Sequence, residues 1–137
     1  MPHLTLEYSA NLKDASDFGT LCTRLAHCLA AQQDGGAPLF PLGGIRVRAF
    51  AADTYCIADG TLAAAFVHAN LKIGAGRSET ARKQTGDALF AVIKAHFDEL
   101  YARTGLALSL EINEFSESGS WKHNNLHTQL RALTHNA

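Results

Sequence analysis

A long and mostly apolar segment, Leu62-Ala63-Ala64-Ala65-Phe66-Val67-His68-Ala69-Asn70-Leu71-Lys72-Ile73, lies in the middle of the chain. Its length and apolar character predict a β-strand at a central position in a sheet. Asp59-Gly60 precedes it, and both residues tolerate positive φ. They therefore predict a hairpin that joins Tyr55-Cys56-Ile57 to this strand. After the strand, Gly74-Ala75-Gly76-Arg77 predicts a turn.

The segment after this turn has the marks of a helix. Ser78 is a favourable N-cap and Gly105 a favourable stop. Apolar side chains recur between them at helical spacing, on a face formed by Ala81, Thr85, Ala88, Leu89, Val92, Ile93, Phe97, Leu100 and Tyr101. Residues 106–113 then alternate apolar and polar side chains, which predicts a final long strand.

The first half of the chain shows the same order of elements. Residues 3–8 alternate as a strand, residues 14–17 supply polar helix-start chemistry, and an apolar stripe at helical spacing covers residues 18–29. A loop rich in glycine and proline over residues 35–44 leads into a second strand at 45–50. The sequence therefore predicts two β-α-β halves.

These halves predict an α+β fold, with one four-stranded sheet and two helices on one of its faces. The strands are rich in Leu, Ile, Val and Phe, so we expect the other face to pack against further subunits. Residues 1–137 are predicted to form a single domain. Its tail, residues 115–137, is polar, with one short helix near residues 125–133.

Composition excludes several classes of function. The 137 residues are 47% hydrophobic, enough for one core, and the net charge of -1 gives no field that would recruit nucleic acid or an anionic membrane. The three cysteines show no Cys-x-x-Cys spacing, and neither a membrane span nor a secretory signal is recognisable. We therefore expect a cytoplasmic protein with reduced thiols.

Two places in the chain could hold an anion. Arg77 follows two glycines at the start of a helix, where free N–H groups and the helix dipole favour a carboxylate or phosphate. Arg46 and Arg48 share one face of their strand, and Arg46 follows a glycine-rich approach that lets a ligand come close. Each arginine could instead be solvated or paired with a carboxylate.

Pro2 is a candidate base. If Met1 is removed, its ring nitrogen becomes a secondary amine at the chain terminus, which can take up and return a proton. A reference α-amino group titrates near roughly 7.7 to 8.0, and burial or neighbouring cations lower that pKa further. The alternative is that Pro2 is simply a common second residue.

Other chemistries find little support. Gly74-x-Gly76 lacks the third glycine of a dinucleotide fingerprint. His123 and His127 have the spacing of a metal pair on a helix, but nothing nearby completes a site, and His68 fits a hydrogen-bonded position in a strand. We therefore expect no metal and no cofactor.

Several stretches together resemble the 5-carboxymethyl-2-hydroxymuconate isomerases of the tautomerase superfamily. The most specific is the Leu-Lys-Ile-Gly-Ala-Gly-Arg run, and the likeness spans nearly the whole chain. The stretches are Met1-Pro2-His3, Pro41-Leu42-Gly43-Gly44-Ile45-Arg46, Ala58-Asp59-Gly60, Ala65-Phe66-Val67-His68, Leu71-Lys72-Ile73-Gly74-Ala75-Gly76-Arg77-Ser78 and Lys122-His123-Asn124-Asn125-Leu126-His127.

The resemblance implies a homotrimer with its sheets facing inward and an isomerase that needs neither cofactor nor metal. It implies Pro2 as the general base and Arg46 and Arg77 as holders of the substrate's carboxylates. The implied substrate is a hydroxymuconate from the homoprotocatechuate route of aromatic-compound degradation. Two alternatives stay open: a tautomerase of another dienol or β-keto acid, and a non-catalytic trimeric binding protein.

Overall fold

A computed structural model describes residues 1–135 of the chain. Six strands and four helices follow one another in this part of the protein. In chain order they are β1 (His3–Ser9), α1 (Phe18–Ala30), β2 (Gln33–Asp34), β3 (Ala37–Pro38), β4 (Arg46–Ala52), β5 (Ala64–Gly74), α2 (Glu79–His96), α3 (Asp98–Arg103), β6 (Gly105–Phe115) and α4 (Leu126–His135). α4 lies in the tail where the sequence predicts one short helix.

The main sheet has four strands in the order β4-β1-β5-β6. β1 pairs parallel with β4 after the α1 crossover, and β5 pairs parallel with β6 after α2 and α3. The two central strands, β1 and β5, are antiparallel to each other. The prediction of an α+β fold with two β-α-β halves in one sheet is confirmed, and β5 occupies the predicted central position.

The predicted hairpin before β5 is wrong. Gly60 does form a turn with φ +85, and its N–H donates to the Ile57 carbonyl at 3.0 Å. Tyr55-Cys56-Ile57, however, is not a strand. The physical reason is that both edges of β5 are already paired, one with β1 and the other with β6. The segment 53–63 therefore connects β4 to β5 across the far end of the sheet.

Both long helices lie on one face of the sheet, where they bury the apolar core. Asp17 caps α1 by accepting from Thr20 N–H at 3.0 Å, and Ser78 caps α2 by accepting from Ala81 N–H at 3.1 Å. The second predicted helix is in fact two, because the chain breaks at Phe97, whose ring is 1% exposed. Core side chains include Leu4, Leu6, Leu21, Leu25, Leu29, Val67, Ala69, Leu71, Leu89 and Ile93.

The opposite face of the sheet is mainly polar. Strand register puts Thr5, Arg48 and Asn70 side by side on that face, and His68 hydrogen-bonds there to Ser109 at 2.6 Å. The expectation of an apolar open face is therefore wrong, because most of the apolar strand residues point towards the helices. The trimer that this expectation supported stays a prediction.

Within residues 1–135, no helix has the length and apolar character required to span a membrane.

Candidate active site

The amino end of the chain is fixed at one end of the two central strands. Pro2 is buried, and its carbonyl accepts from the Arg46 main-chain N–H at 3.1 Å. Directly after it, Leu4 and Leu6 are 0% exposed in β1. Because β1 is paired on both sides, residue 2 cannot shift without disrupting the sheet.

Met1 lies in a cavity of about 440 Å³. Three parts of the chain enclose this cavity: the loop before β4, the turn after β5 and the tail after β6. Its lining residues are Met1, Pro41, Gly44, Arg77, Glu117, Lys122, Asn124 and His127. Larger hollows of about 500 and 700 Å³ lie at the far end of β5 and along the groove between α2 and β6, but neither contains the amino terminus.

Arg77 enters this cavity from the turn between β5 and α2. One of its terminal nitrogens donates to the Gly74 carbonyl at 3.0 Å and the other to the Leu39 carbonyl at 3.3 Å. The guanidinium carbon also lies 4.9 Å from the centre of the Phe40 ring. Gly76 makes the turn possible because its backbone φ is +112, a value that residues with a side chain rarely adopt. The guanidinium is therefore held in place before any ligand arrives.

The other two candidate arginines lie outside the cavity lining. Arg46 donates from one terminal nitrogen to the carbonyls of Gly43 at 2.9 Å and Ile45 at 3.4 Å. Its side chain therefore secures the loop behind the cavity. Arg48 contacts His3 Nδ1 at 3.2 Å, on the open face of the sheet. The structure thus brings Arg77 and the amino terminus together, places Arg46 behind them and puts Arg48 elsewhere.

The surroundings of the amino terminus favour a neutral amine. The pKa of the Met1 ammonium is lowered from its ordinary value, first by burial and then by the nearby cations Lys122, Arg77 and, more weakly, Arg46. Glu117 opposes this shift, since its negative charge raises the same pKa. Three cations against one carboxylate make this region locally positive, although the net charge of the chain is -1.

Sequence patterns did not place the cavity residues from the tail in an active site. Asn124 Nδ2 donates to the Gly43 carbonyl at 3.0 Å, and Asn124 Oδ1 accepts from the Leu126 N–H at 2.7 Å, where α4 begins. His127 packs so closely on Gly43 that a Cβ there would lie 2.7 Å from its Nδ1. Residues 122–127 contributed to the family resemblance. That resemblance was the one sign in the sequence that this stretch lies near a functional site.

His123 and His127 have the spacing of a metal pair, from which no metal site was predicted. His127 faces the cavity, and across residues 1–135 no three side chains of His, Cys, Asp or Glu cluster as a metal ion would require. His68 lies in β5, far along the sheet, where it contacts Ser109 and Glu111.

Comparison of structures first defines the class. A fused 4-OT protein described as a symmetric trimer is 12% identical and shares the fold with a TM-score of 0.60, over 88% of this chain and 93% of the other. A member of the cis-3-chloroacrylic acid dehalogenase family, 12% identical, has a TM-score of 0.63 over 88% of this chain and 80% of the other. The fold is therefore tautomerase-like.

Within that class, the chain belongs to the 5-carboxymethyl-2-hydroxymuconate isomerase family, whose model matches residues 2–130. The 5-carboxymethyl-2-hydroxymuconate Delta-isomerase of Escherichia coli is 43% identical over 127 residues, or 93% of this chain and 97% of that protein. The crystal structure of a 5-carboxymethyl-2-hydroxymuconate isomerase from Deinococcus radiodurans R1 is 50% identical, with a TM-score of 0.86 over 95% of this chain and 94% of the other. The resemblance found in the sequence is confirmed.

Proposed function

We propose that the protein is a cofactor-independent isomerase that converts 5-carboxymethyl-2-hydroxymuconate, by a keto-enol change with a double-bond shift, in the homoprotocatechuate route. Membership of the family and the names of its relatives support this substrate. The observation that carries the mechanism is the amino terminus in a cavity beside Arg77 and Lys122. A base with a lowered pKa near cations suits a polycarboxylate enol.

Removal of Met1 is part of this proposal, because Pro2 has a basic nitrogen only at the chain terminus. Met1 packs against Gly44 in the loop before β4. A Cβ at Gly44 would lie 3.2 Å from Met1 Cγ, and the three atoms nearest to that position all belong to Met1. Met1 therefore fills space beside the loop, and its loss would open that space to a ligand. The Pro2 nitrogen would then face the cavity, with its pKa lowered by the surroundings that act on Met1.

The proposed chemistry needs one base and a fixed substrate. Pro2 takes the proton from the 2-hydroxyl group, the electrons shift along the dienol, and the resulting ammonium returns a proton to carbon. Arg77 binds a carboxylate through its planar fork and offsets charge that accumulates on the 2-oxo group. Arg46 is proposed as a second carboxylate-holding residue, because its charge reaches the same amino terminus.

We further propose a homotrimer made of single-domain chains in the cytoplasm. Both long helices share one sheet, which supports one domain over residues 1–137. The exposed Phe50, on the open face of that sheet, supports burial against another subunit. Cys22, Cys28 and Cys56 are free thiols, the form that a reducing compartment maintains.

The test combines intact mass with an ultraviolet assay on 5-carboxymethyl-2-hydroxymuconate. We expect the mass of the chain without Met1, measurable turnover, and a loss of at least about 100-fold in kcat when Pro2 is replaced by Ala, because the primary amine that then ends the chain lacks the ring that fixes the proline nitrogen. Size-exclusion chromatography with light scattering should give the same oligomer for both proteins. Unchanged turnover in the Pro2→Ala protein would refute the assignment of the base.

A further inference from the structure

Beyond the two arginines of the proposed function, we infer that Lys122 binds the third carboxylate of the substrate and thereby selects a tricarboxylate over a dicarboxylate. The inference rests on the proposed function, because the substrate's two terminal carboxylates and its carboxymethyl group make a trianion. Lys122 comes from the tail after β6, whereas Arg77 comes from the turn between β5 and α2, and both line the cavity.

Lys122 lies at the cavity that contains the amino terminus. Lys122 and Arg77 are the two cationic side chains among the described residues that line the cavity beside Met1. Lys122 and Arg77 both lower the pKa of the terminal ammonium, after the larger effect of burial. A carboxylate bound in this cavity would therefore lie among the amino terminus, Lys122 and Arg77.

The Lys122 side chain has only a weak partner within the protein. Its ammonium nitrogen is 3.9 Å from Glu117 Oε2, at the outer limit of an ion pair, and both side chains are well exposed. Such a pair contributes little, so a substrate carboxylate can replace Glu117 at low cost. By contrast, Arg77 donates to two main-chain carbonyls and Arg46 to two others. Lys122 is thus the cation of the region that a ligand can most readily recruit.

The tail that carries Lys122 is itself anchored to the site. Asn124, two residues later, joins the Gly43 carbonyl to the start of α4, and this carbonyl also accepts from Arg46. The backbone near Lys122 therefore has a fixed place at the cavity, while the flexible stem of the lysine can follow the substrate. A fixed backbone with a mobile ammonium suits the carboxymethyl arm, which is itself flexible.

The experiment compares Lys122→Gln, Lys122→Arg and Lys13→Gln with the unaltered protein. Lys13 is the matched control, since its ammonium is also 3.9 Å from a carboxylate, that of Asp53, but lies at the other end of the sheet. Turnover is followed with 5-carboxymethyl-2-hydroxymuconate and with 2-hydroxymuconate, which lacks the third carboxylate. Calorimetry measures the binding of two saturated acids, propane-1,2,3-tricarboxylate with three carboxylates and adipate with two. This measurement does not depend on turnover.

For Lys122→Gln we expect KM for the tricarboxylate to rise roughly 10- to 100-fold, as for a lost hydrogen bond to a charged group, against less than about threefold for the dicarboxylate. Lys122→Arg should recover most of the loss and Lys13→Gln should show none. Equal losses for both substrates, or no loss, would overturn the inference. If the unaltered protein turned over neither substrate, the proposed function would fail, and the affinities for the two saturated acids would still decide the role of Lys122.

Discussion

Replacement of Gly43 by Ala tests whether the tail forms a rigid wall of the cavity. An added Cβ would lie 2.7 Å from Nδ1 and 2.9 Å from the main-chain nitrogen of His127, about 0.5–0.7 Å inside ordinary contact. The ring could rotate away, but the main-chain nitrogen can move only if the start of α4 moves. Overpacking of this kind costs about 1–3 kcal/mol, and the lower entropy of the unfolded Ala chain offsets about 0.4–1 kcal/mol.

The two ranges combine to a net loss of about 0–2.6 kcal/mol with a centre near about 1.3 kcal/mol, which corresponds to a fall in Tm of roughly 5 °C and at most about 9 °C for a chain of this size. Differential scanning calorimetry at one fixed protein concentration measures it. Gly119→Ala is the matched control, because Gly119 also lies in a short 3-10 helix and the nearest atom to its added Cβ is 3.9 Å away. A Gly43→Ala protein as stable as the Gly119→Ala protein would refute the close packing of α4 on the loop.

Three further predictions concern the core and the site. Thr85→Val should leave the free energy of unfolding unchanged or raise it by up to about 1 kcal/mol, because the buried hydroxyl has no hydrogen-bond partner among the described residues. A clear fall in Tm would show that the hydroxyl has a partner. Glu117→Gln should move the rising limb of kcat/KM against pH to lower pH, since Glu117 raises the pKa of the terminal amine and activity needs the neutral amine; a shift to higher pH would contradict this. Arg77→Lys should lower kcat/KM roughly 100-fold, because an ammonium cannot reproduce the planar fork, and near-normal kinetics would exclude bidentate binding.

Local patterns in the chain were sufficient to predict the architecture. Alternation in residues 3–8 and 106–113 and the caps at Asp17 and Ser78 gave the strands and helices that the structure contains. The hairpin at Asp59-Gly60 failed because a turn signal reports the bend but not the partner strand. That partner is chosen by long-range pairing, and β1 lies between β4 and β5.

The residues around the cavity could be singled out only in part, for a similar reason. Arg77, which lines the cavity, was singled out because its signal is local: two glycines followed by a helix start. Lys122 and Asn124 were not singled out because the polar tail has no pattern that shows where it folds back. Their place at the cavity depends on Gly43, to which Asn124 donates, and on Met1, which lines the same cavity as Lys122; these residues are about 80 and 120 positions away in the chain. The polarity of the open face was missed because counting apolar residues does not assign them to a side of the sheet.

The most direct test of a catalytic Pro2 amine is a ¹⁵N NMR titration of protein labelled in proline. The chain has three prolines, Pro2, Pro38 and Pro41, and only a terminal one carries a nitrogen that titrates. We expect one of the three signals to titrate with a pKa below the ordinary range of about 7.7–8.0, because of burial and the cations around it, and to match the rising limb of kcat/KM. Three signals that do not change with pH, or a titration at or above that range, would contradict the account.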